Sequence, residues 1–407
     1  MKTLKRRGGK RWLYLLAAIV LIGAYGFWAL SRPLPALRLT LGVDKLSVQT
    51  PTPKLIWPGA GQAAVGVLGS QVLATHGPQT PLPTASTAKL ITALAVLHQK
   101  PLALGQTGPA ITLTTADVAL YNSYAARDGS VVPVVAGEQI SEYQVLQAMM
   151  LPSANNMADS LAIWAFGSLS AYSTFANGYA AQLGLAHTHV GIDASGFSPT
   201  TTSTARDLTR LGEVVMRNPV LAQIVGQNTA AGLPVANNIK NVNSLLGTDN
   251  IIGIKTGNTD QAGGVFVGAA LAKVNNQTVT VITAVMGQPS LRQAMTDSLP
   301  LIQSTQANFS TVTVVPARSV IGRYQQPWGG SVPAVAGRQL AGSTWNGDSL
   351  AAAVKLNNSV PGKASAGQTV GSLTIPRSAF AGQQSVPVKL VAAPSKPPLR
   401  WRLLHAF

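Results

Sequence analysis

The 407-residue sequence has no cysteine, only five histidines, and few charged residues, which make up 11% of the chain. Without cysteine there is no disulfide framework and no thiolate-bound metal. The scattered histidines offer little to a zinc centre, so no metal and no organic cofactor is implied. Because 46% of the residues are hydrophobic, the chain has enough apolar side chains for a substantial core, and disorder over most of its length is not expected.

Acidic residues are scarce as well, 13 against 30 basic ones, for a net charge of +17. The first eleven residues hold six basic residues and no acid, and residues 311–407 hold ten against the single acid Asp348. The part between them is nearly neutral. Basic ends suit an anionic membrane surface or a wall polymer. No DNA-reading helix, zinc finger or RNA-binding motif is present, so we expect no nucleic-acid partner.

The longest continuous apolar run lies near the N-terminus. Residues 12–30, WLYLLAAIVLIGAYGFWAL, contain nineteen residues without a charge, about the length that crosses a bilayer as a helix. Trp12, Tyr14 and Trp28 lie near its ends, as interfacial anchors do. We therefore interpret residues 1–30 as a cytoplasmic basic segment and an uncleaved signal anchor, in preference to a cleaved signal peptide. This predicts a single-pass protein of the cell membrane whose later residues lie outside the cytoplasm.

The rest of the chain divides by composition into three parts. Residues 31–58 are proline-rich and without pattern, which predicts a linker. Residues 59–308 alternate between helical and strand patterns and form the main predicted domain. From residue 309 onward, short segments alternate at a period of two between glycines and prolines. This predicts a small β-rich domain over 309–407 that ends in a basic aromatic tail, PPLRWRLLHAF.

Within the main domain, hydrophobic spacing and capping patterns predict the secondary structure. The expected elements are two strands over 63–77 joined around Gly69-Ser70, a helix over 86–98, a helix from the capping pattern Ser141-x-x-Gln144 to Pro152, a helix through Met157 and Trp164, a helix begun by Thr204-x-x-Asp207, and strands from Ile251 that include a hairpin.

Three short polar motifs follow one another along this domain. They are Ser86-Thr87-Ala88-Lys89 at a helix start, Ser153-Ala154-Asn155 in a loop between two predicted helices, and Lys255-Thr256-Gly257 at the end of an apolar strand. Residues three apart on a helix share a face, so Lys89 can reach the Ser86 hydroxyl. Taken singly, Lys89 could extend its amine to water, Ser153 could be a helix cap, and Thr256-Gly257 a turn. Their order and setting together indicate a serine nucleophile site.

The flanking segments narrow this interpretation. PTASTAKLITALAVL, VLQAMMLPSANNMADSLA, STARDL and NSLLGTDNIIGIKTGNTDQAG resemble the D-alanyl-D-alanine carboxypeptidases of the low-molecular-mass penicillin-binding proteins, over about residues 60–300. The resemblance implies an α/β (α+β) fold of the penicillin-binding and β-lactamase-like transpeptidase type, with an antiparallel sheet, flanking helices and a helical subdomain. The β-rich remainder looks like the small C-terminal all-β domain that many of these enzymes carry. The main domain, 59–308, would then be catalytic.

The resemblance also implies roles for the motif residues. Ser86 would be the acylated nucleophile and Lys89 its base, which must be neutral; burial and the like charge of Lys255 would both lower its pKa. Ser153 would carry a proton toward the leaving amine, and Asn155 would hold Lys89 and the substrate amide. The third motif would bind the substrate: Lys255 and Thr256 would bind the terminal carboxylate, and Gly257 would let the substrate lie close to the strand. The backbone N–H groups of Ser86 and Asn258 would stabilise the oxyanion. Arg292 is a further candidate for binding the carboxylate.

The expected function is a serine-type D-Ala-D-Ala carboxypeptidase that removes the terminal D-alanine from peptidoglycan stem pentapeptides and is acylated by β-lactams. A D,D-endopeptidase that cuts cross-links has the same motifs and is the alternative. A β-lactamase is less favoured, because the only glutamate between Asn155 and Lys255 is Glu213, within a predicted helix. A wall-binding protein with an inactive site would have lost Ser86, Lys89 or Lys255. The patterns do not predict an oligomeric state.

Overall fold

The computed structural model describes residues 9–275 and 277–405, so most of the basic N-terminal segment lies outside the described residues. The helices of the described part are α1 (Gly9–Ser31), α2 (Lys89–Gln99), α3 (Thr115–Ala125), α4 (Glu142–Met150), α5 (Asn155–Phe166), α6 (Leu169–Gln182), α7 (Ala205–Arg217), α8 (Pro219–Val225), α9 (Leu291–Ala307) and α10 (Leu399–Leu404).

The strands are β1 (Leu37–Gly42), β2 (Lys45–Gln49), β3 (Gln62–Val67), β4 (Val72–His76), β5 (Leu82–Pro83), β6 (Ala110–Thr112), β7 (Gln139–Ser141), β8 (Thr202–Ser203), β9 (Thr229–Leu233), β10 (Asn237–Lys240), β11 (Ile251–Thr259), β12 (Gly263–Val274), β13 (Gln277–Gln288), β14 (Phe309–Val315), β15 (Val320–Gln325), β16 (Ser331–Ala336), β17 (Leu340–Trp345), β18 (Ser349–Leu356), β19 (Ser359–Val360), β20 (Thr369–Ile375) and β21 (Gln384–Leu390).

These elements form two compact units. The central unit comprises residues 52–310 together with 378–380. The terminal unit comprises the described residues up to Pro51, residues 311–377 and the residues from Ala381 on. Each unit has its own hydrophobic core.

A five-stranded sheet in the order β11-β12-β13-β3-β4 forms the base of the central unit, and the neighbouring strands are antiparallel. Val267 of β12 lies against Gly212 of α7, whereas a side chain on Gly268 would meet Ile302 of α9. Because successive strand residues point to opposite faces, the two helices cover opposite faces of the sheet. β11 is left as an edge strand, with one row of its backbone groups unpaired within the sheet.

The predicted helices of the central unit are present and their caps explain where they begin. Ser141 accepts a hydrogen bond from Gln144 N at the start of α4, and Thr204 accepts one from Asp207 N at the start of α7. Nine of the eleven residues of α2 are buried, Lys89 among them, so α2 is a core helix. The second motif differs slightly from its prediction, because Asn155 is the first residue of α5 instead of a loop residue.

The terminal unit contains an eight-stranded sheet in the order β19-β1-β15-β16-β21-β20-β18-β2. The β-rich pattern from residue 309 onward accounts for six of these strands. The other two, β1 and β2, lie within residues 31–58, where the sequence was expected to form a patternless linker. That expectation is wrong for these eleven residues: Leu39 pairs with Tyr324, and Val48 pairs with Leu350.

The two ends of the described chain meet within the terminal unit. The Arg402 guanidinium of α10 donates hydrogen bonds to the carbonyl oxygens of Ala29, Leu30 and Arg32 at 3.0, 2.7 and 2.7 Å. The last carbonyls of a helix lack partners within the helix, so Arg402 satisfies groups at the end of α1. The stretch Arg11–Ser31 of α1 has a mean hydropathy of 2.1 and is almost wholly exposed, and it is long and apolar enough to cross a membrane.

Candidate active site

Ser86 lies on a tight turn that leads directly into α2. Residues Ala85–Ala88 form a 3-10 turn, and α2 begins at Lys89. Ala85 has a φ of +46° and Ser153, in the second motif, a φ of +67°. Side-chain-bearing residues rarely adopt this left-handed region, and such strained positions cluster at functional sites. Ser86 is half-buried, whereas the Lys89 side chain is completely buried.

The Lys89 amine has three close neighbours. Its Nζ lies 2.8 Å from Ser86 Oγ, 2.7 Å from Asn155 Oδ1 and 2.9 Å from the Ser195 carbonyl oxygen. A neutral amine has two N–H donors and one lone pair. Two of the neighbours are carbonyl oxygens, which only accept, so they take both N–H groups. The lone pair is then left facing the Ser86 hydroxyl, which is the arrangement that a general base requires.

Burial sets the charge of this amine. It lowers the pKa of Lys89 from 10.5 to about 7, against the attraction of Asp193 and Asp159, which raises it. Near neutral pH a large fraction of the Lys89 side chains is therefore uncharged. A free lysine at this pH would be almost wholly protonated and could not accept a proton from serine.

Lys255 places a second amine next to the first. Its Nζ donates to Ser153 Oγ at 3.0 Å and to the Thr256 carbonyl oxygen at 3.0 Å. Burial, and secondarily repulsion by Lys89, holds the pKa of Lys255 well below 10.5. The sequence predicted that burial and the like charge of Lys255 would both lower the pKa of Lys89. In the structure burial lowers the pKa of Lys89, whereas the repulsion between the two amines lowers the pKa of Lys255.

The third motif brings the edge strand β11 up to the nucleophile. A side chain on Gly257 would lie 3.1 Å from Thr84 O and 3.2 Å from Ser86 N, so strand and turn are in close contact there. Thr256 is buried, and Asn258 is exposed with its Oδ1 accepting from Leu291 N at 3.2 Å. The Asn258 side chain is thus held toward the start of α9.

Eight of the nine predicted site residues therefore lie together in the structure. They are Ser86, Lys89, Ser153, Asn155, Lys255, Thr256, Gly257 and Asn258. Arg292 differs: it is exposed in the first turn of α9, next to Leu291. Among the described residues, no hydrogen bond or ion pair joins Arg292 to the other eight.

The loop after α6 supplies residues that the sequence reasoning missed. Asp193 Oδ1 accepts from the backbone N–H of Ser195 at 2.8 Å and of Gly196 at 2.6 Å, and its Oδ2 accepts from Ser198 N at 2.9 Å. This bonding fixes the loop that presents the Ser195 carbonyl to Lys89. The segment DASGFS, an aspartate followed by serine and glycine, is typical of such a turn and was the available signal.

A known protein family matches the part of the chain that contains this site. The family profile described as "D-alanyl-D-alanine carboxypeptidase" matches residues 62–290, more than half of the chain. The chain belongs to this family. The matched region contains all three motifs and ends just before Leu291.

Several proteins of known name are similar to this family member. Carboxypeptidase DacB2 of Mycobacterium tuberculosis is 35% identical over 208 residues, 49% of this chain and 66% of that protein. A D-alanyl-D-alanine endopeptidase of Pseudomonas aeruginosa is 32% identical, over 56% of this chain and 74% of its own length. Carboxypeptidase DacA of Escherichia coli is 31% identical over 43% of each chain. The chain thus spans just under two thirds of the length of DacB2 and less than half of the length of DacA.

Solved structures show the same fold. The Streptomyces K15 DD-transpeptidase matches with a TM-score of 0.53 and 25% identity, over 63% of this chain and 98% of the other. Penicillin-binding protein 5 of Haemophilus influenzae matches with a TM-score of 0.56 and 22% identity, over 84% of this chain and 98% of the other. The predicted family, fold class and enzyme class, a serine peptidase, are confirmed. The expected D-Ala-D-Ala carboxypeptidase function is the one that gives the family its name.

Proposed function

We propose that this protein is a serine D,D-carboxypeptidase that removes the terminal D-alanine from peptidoglycan stem peptides. The observation on which this rests is the Ser86–Lys89 pair: an amine with a pKa lowered to about 7, 2.8 Å from a serine hydroxyl, with both its N–H groups directed to carbonyl oxygens. Such a pair generates a serine nucleophile without histidine.

Acylation begins when Lys89 accepts the Ser86 hydroxyl proton as Oγ attacks the carbonyl carbon of the penultimate D-alanine. The tetrahedral oxyanion is held by the backbone N–H groups of Ser86 and Asn258. The peptide C–N bond then breaks, and the departing amine needs a proton. The proton that Lys89 took from Ser86 is relayed to this nitrogen through the hydroxyl of Ser153, which lies 3.0 Å from Lys255 Nζ, and Lys89 is then neutral again. D-Alanine leaves and Ser86 remains esterified.

The terminal carboxylate is recognised by Lys255 and Thr256. In the free enzyme burial, and secondarily repulsion by Lys89, holds the pKa of Lys255 well below 10.5, so burial disfavours the charged form of this amine. A carboxylate that enters the cleft places an opposite charge beside it and raises that pKa again. The charged form of Lys255, which pairs with the carboxylate, is thereby favoured. A blocked C-terminus offers no such charge, which gives the site a preference for a free carboxylate.

Deacylation completes the cycle by the same groups. Water replaces the departed amine, Lys89 accepts a proton from it, and the oxygen attacks the Ser86 ester. As the ester bond breaks, Lys89 returns this proton to Ser86 Oγ, so the shortened peptide leaves and the Ser86 hydroxyl is restored. β-Lactams present a strained amide and a carboxylate in the same positions, so they acylate Ser86 as well.

The endopeptidase alternative has one observation in its favour. The Pseudomonas relative named an endopeptidase is covered over 74% of its length. Cleavage of a cross-link uses the same two D-alanine positions but has a larger leaving group. The β-lactamase alternative has less support, because Glu213 lies in α7, is paired with Arg217 at 3.7 Å, and takes no part in the Ser86 cleft.

A membrane position is part of the proposal. Helix α1 is long and apolar enough to span a bilayer, and Arg402 binds carbonyl oxygens at its end. The basic aromatic α10 would then lie at the membrane surface, where arginine and tryptophan are favoured. Both units would act outside the cytoplasm, on the side where peptidoglycan lies.

The test uses the full chain in detergent micelles and a fluorescent penicillin. We expect covalent labelling of the wild type and none of Ser86→Ala. Ser160→Ala is the matched control, because the Ser160 hydroxyl is buried without a hydrogen-bond partner in the described chain; it should label normally. Labelling that survives Ser86→Ala would rule out this nucleophile.

Mass spectrometry then separates the two peptidase activities. A defined pentapeptide and a cross-linked dimer are offered to the same preparation. Release of D-alanine from the pentapeptide is expected, whereas cleavage of the dimer alone would show an endopeptidase.

A further inference from the structure

A cavity of about 780 Å³ lies in the central unit, immediately beside the proposed active site. Its lining includes Tyr124, Arg127, Asp128, Asn258 and Asp260. Two contacts fix its place. The first involves Asn258, which directly follows Gly257, and Gly257 packs against Ser86. The second involves Asp128, whose neighbour Gly129 is so close to Asn155 that a side chain on Gly129 would lie 2.9 Å from Asn155 Nδ2.

The direction of the bound peptide follows from the roles proposed above. The terminal carboxylate lies at Lys255 and Thr256, and the scissile carbonyl lies at the backbone N–H of Asn258. An extended peptide on an edge strand advances about 3.3 Å per residue, as the strand itself does. The residues N-terminal to the scissile bond therefore continue past Asn258 toward Asp260. The residue that precedes the two D-alanines, the third of the stem peptide, reaches this cavity first.

The carboxylates that line the cavity are of two kinds. Asp159 accepts from Tyr124 Oη at 2.6 Å and from Ala194 N at 2.9 Å, and Asp193 is bonded to the loop that follows it. Asp128 and Asp260 differ from these two. Both are exposed, and within the residues that the structure describes neither carboxylate has a hydrogen bond or an ion pair.

The cavity is also lined by one positively charged side chain, that of Arg127, which is held in a fixed position. The Arg127 guanidinium lies 4.9 Å from the centroids of both the Tyr124 and the Phe197 rings. It donates to the Ser123 carbonyl oxygen at 3.0 Å and to Ser123 Oγ at 3.3 Å, which leaves further N–H groups free. In the described part of the chain no carboxylate lies within ion-pair distance of Arg127. A planar guanidinium with free N–H groups is suited to a carboxylate ligand.

We propose that this cavity selects stem peptides whose third residue ends in both an ammonium group and a carboxylate, a diamino dicarboxylic acid such as diaminopimelate. Asp128 and Asp260 bind the ammonium group, and Arg127 binds the carboxylate. Lysine at the same position offers only the ammonium group and is the poorer substrate. This inference rests on the proposed carboxypeptidase function.

The experiment measures kcat/KM for D-alanine release by the full chain in detergent. Three pentapeptides are compared, with diaminopimelate, diaminopimelate amidated at its side-chain carboxyl group, or lysine at the third position. The side chains of Arg127, Asp128 and Asp260 are exposed, so an ion pair between one of them and the peptide is weak. Loss of one such ion pair is expected to lower kcat/KM about three- to fivefold. The wild type should prefer diaminopimelate to either of the other two by that factor.

Variants identify the residues responsible. Arg127→Gln should lower kcat/KM for the diaminopimelate peptide alone and leave the amidated and lysine peptides unchanged. Asp128→Asn and Asp260→Asn should lower it for all three, because all three have the ammonium group. Arg206→Gln and Asp44→Asn, which remove exposed charges elsewhere, are the matched controls and should have no effect.

The outcomes are distinguishable. Equal kcat/KM for the three peptides, or a loss in Arg127→Gln that is the same for all three, would overturn the specificity proposal while D-alanine release stands. A wild type that releases no D-alanine from any peptide and is not labelled by penicillin would overturn the proposed function itself.

Discussion

The Cα of Gly257 packs against the backbone of Ser86 so closely that a methyl group on Gly257 would lie 3.2 Å from Ser86 N. The third motif is therefore in contact with the nucleophile's own N–H, one of the two proposed oxyanion donors. Thr84 O and Ala85 Cβ are equally near, at 3.1 and 3.2 Å. The edge strand and the serine turn thus form one surface, and the proposed mechanism places the scissile carbonyl on it.

Gly257→Ala should for this reason slow acylation. The added methyl group pushes the turn and β11 apart by a few tenths of an ångström and intrudes where the substrate lies. Misplaced oxyanion donors cost on the order of a hundredfold in rate, so we expect a ten- to hundredfold fall in the second-order rate of penicillin acylation. Gly178→Ala is the control, because no atom beyond its chain neighbours and the nearby backbone of its own helix lies within 4 Å of the new methyl group. An unchanged rate in Gly257→Ala would contradict this account of the cleft.

The pKa of about 7 at Lys89 predicts a pH profile. Only the neutral amine accepts the Ser86 proton, so acylation should increase about tenfold per pH unit below 7 and level off above it. Lys89→Arg should reduce acylation by more than about a thousandfold, since arginine stays charged. Lys100→Arg, an exposed change, should keep the wild-type profile. The measurement is the penicillin acylation rate between about pH 5.5 and 9, and a flat profile would refute the role of Lys89.

Local patterns and family resemblance predicted most of this site. Ser86 and Lys89 are three residues apart at a helix start, so their proximity follows from helix geometry alone. Lys255 is more distant in sequence, and only the family resemblance placed it beside them. The Ser195 carbonyl could not be foreseen in this way, because it comes from a loop 106 residues from Lys89 and presents a backbone atom.

The prediction of a patternless linker over residues 31–58 was wrong in part, for a different reason. LRLTLG within it alternates apolar and polar residues, a strand signal, but prolines on both sides hide it from an interpretation based on composition. Its partner in the sheet, β15, is almost 300 residues further along the chain. Pairing over such a distance depends on the whole fold, which no local pattern encodes.

Asp193 should matter for both stability and activity. Its carboxylate accepts from the four backbone N–H groups of residues 195–198, of which Ser195 and Gly196 are buried. In Asp193→Asn one oxygen is replaced by an NH₂ group that faces donors, so buried N–H groups lose their partner. We expect a loss of about 3 kcal/mol in unfolding free energy and slower acylation as the Ser195 carbonyl shifts. Denaturant unfolding and penicillin labelling measure the two effects. Asp297→Asn, outside this loop, should show neither, and wild-type stability in Asp193→Asn would contradict the argument.

Glu142 predicts a pH-dependent stability unrelated to catalysis. It is buried at the start of α4, its Oε1 has no hydrogen-bond partner in the described chain, and burial raises its pKa from 4.5 to about 7 against the attraction of Lys100. A carboxyl group whose pKa is higher in the folded state stabilises the fold below pH 4.5, and this contribution is lost as the pH rises through 7.

Glu142→Gln keeps the shape of the side chain and removes the titration. It should therefore leave stability nearly unchanged at about pH 4.5 and raise it at about pH 8, by about 1–2 kcal/mol once solvent screening is allowed for. Thermal unfolding of the full chain in detergent at the two pH values measures this, with Asp44→Asn as an exposed control that should show no difference. A gain of equal size at both pH values would mean that the amide side chain packs better than the carboxyl group at this position, and the buried charge would then not be the cause.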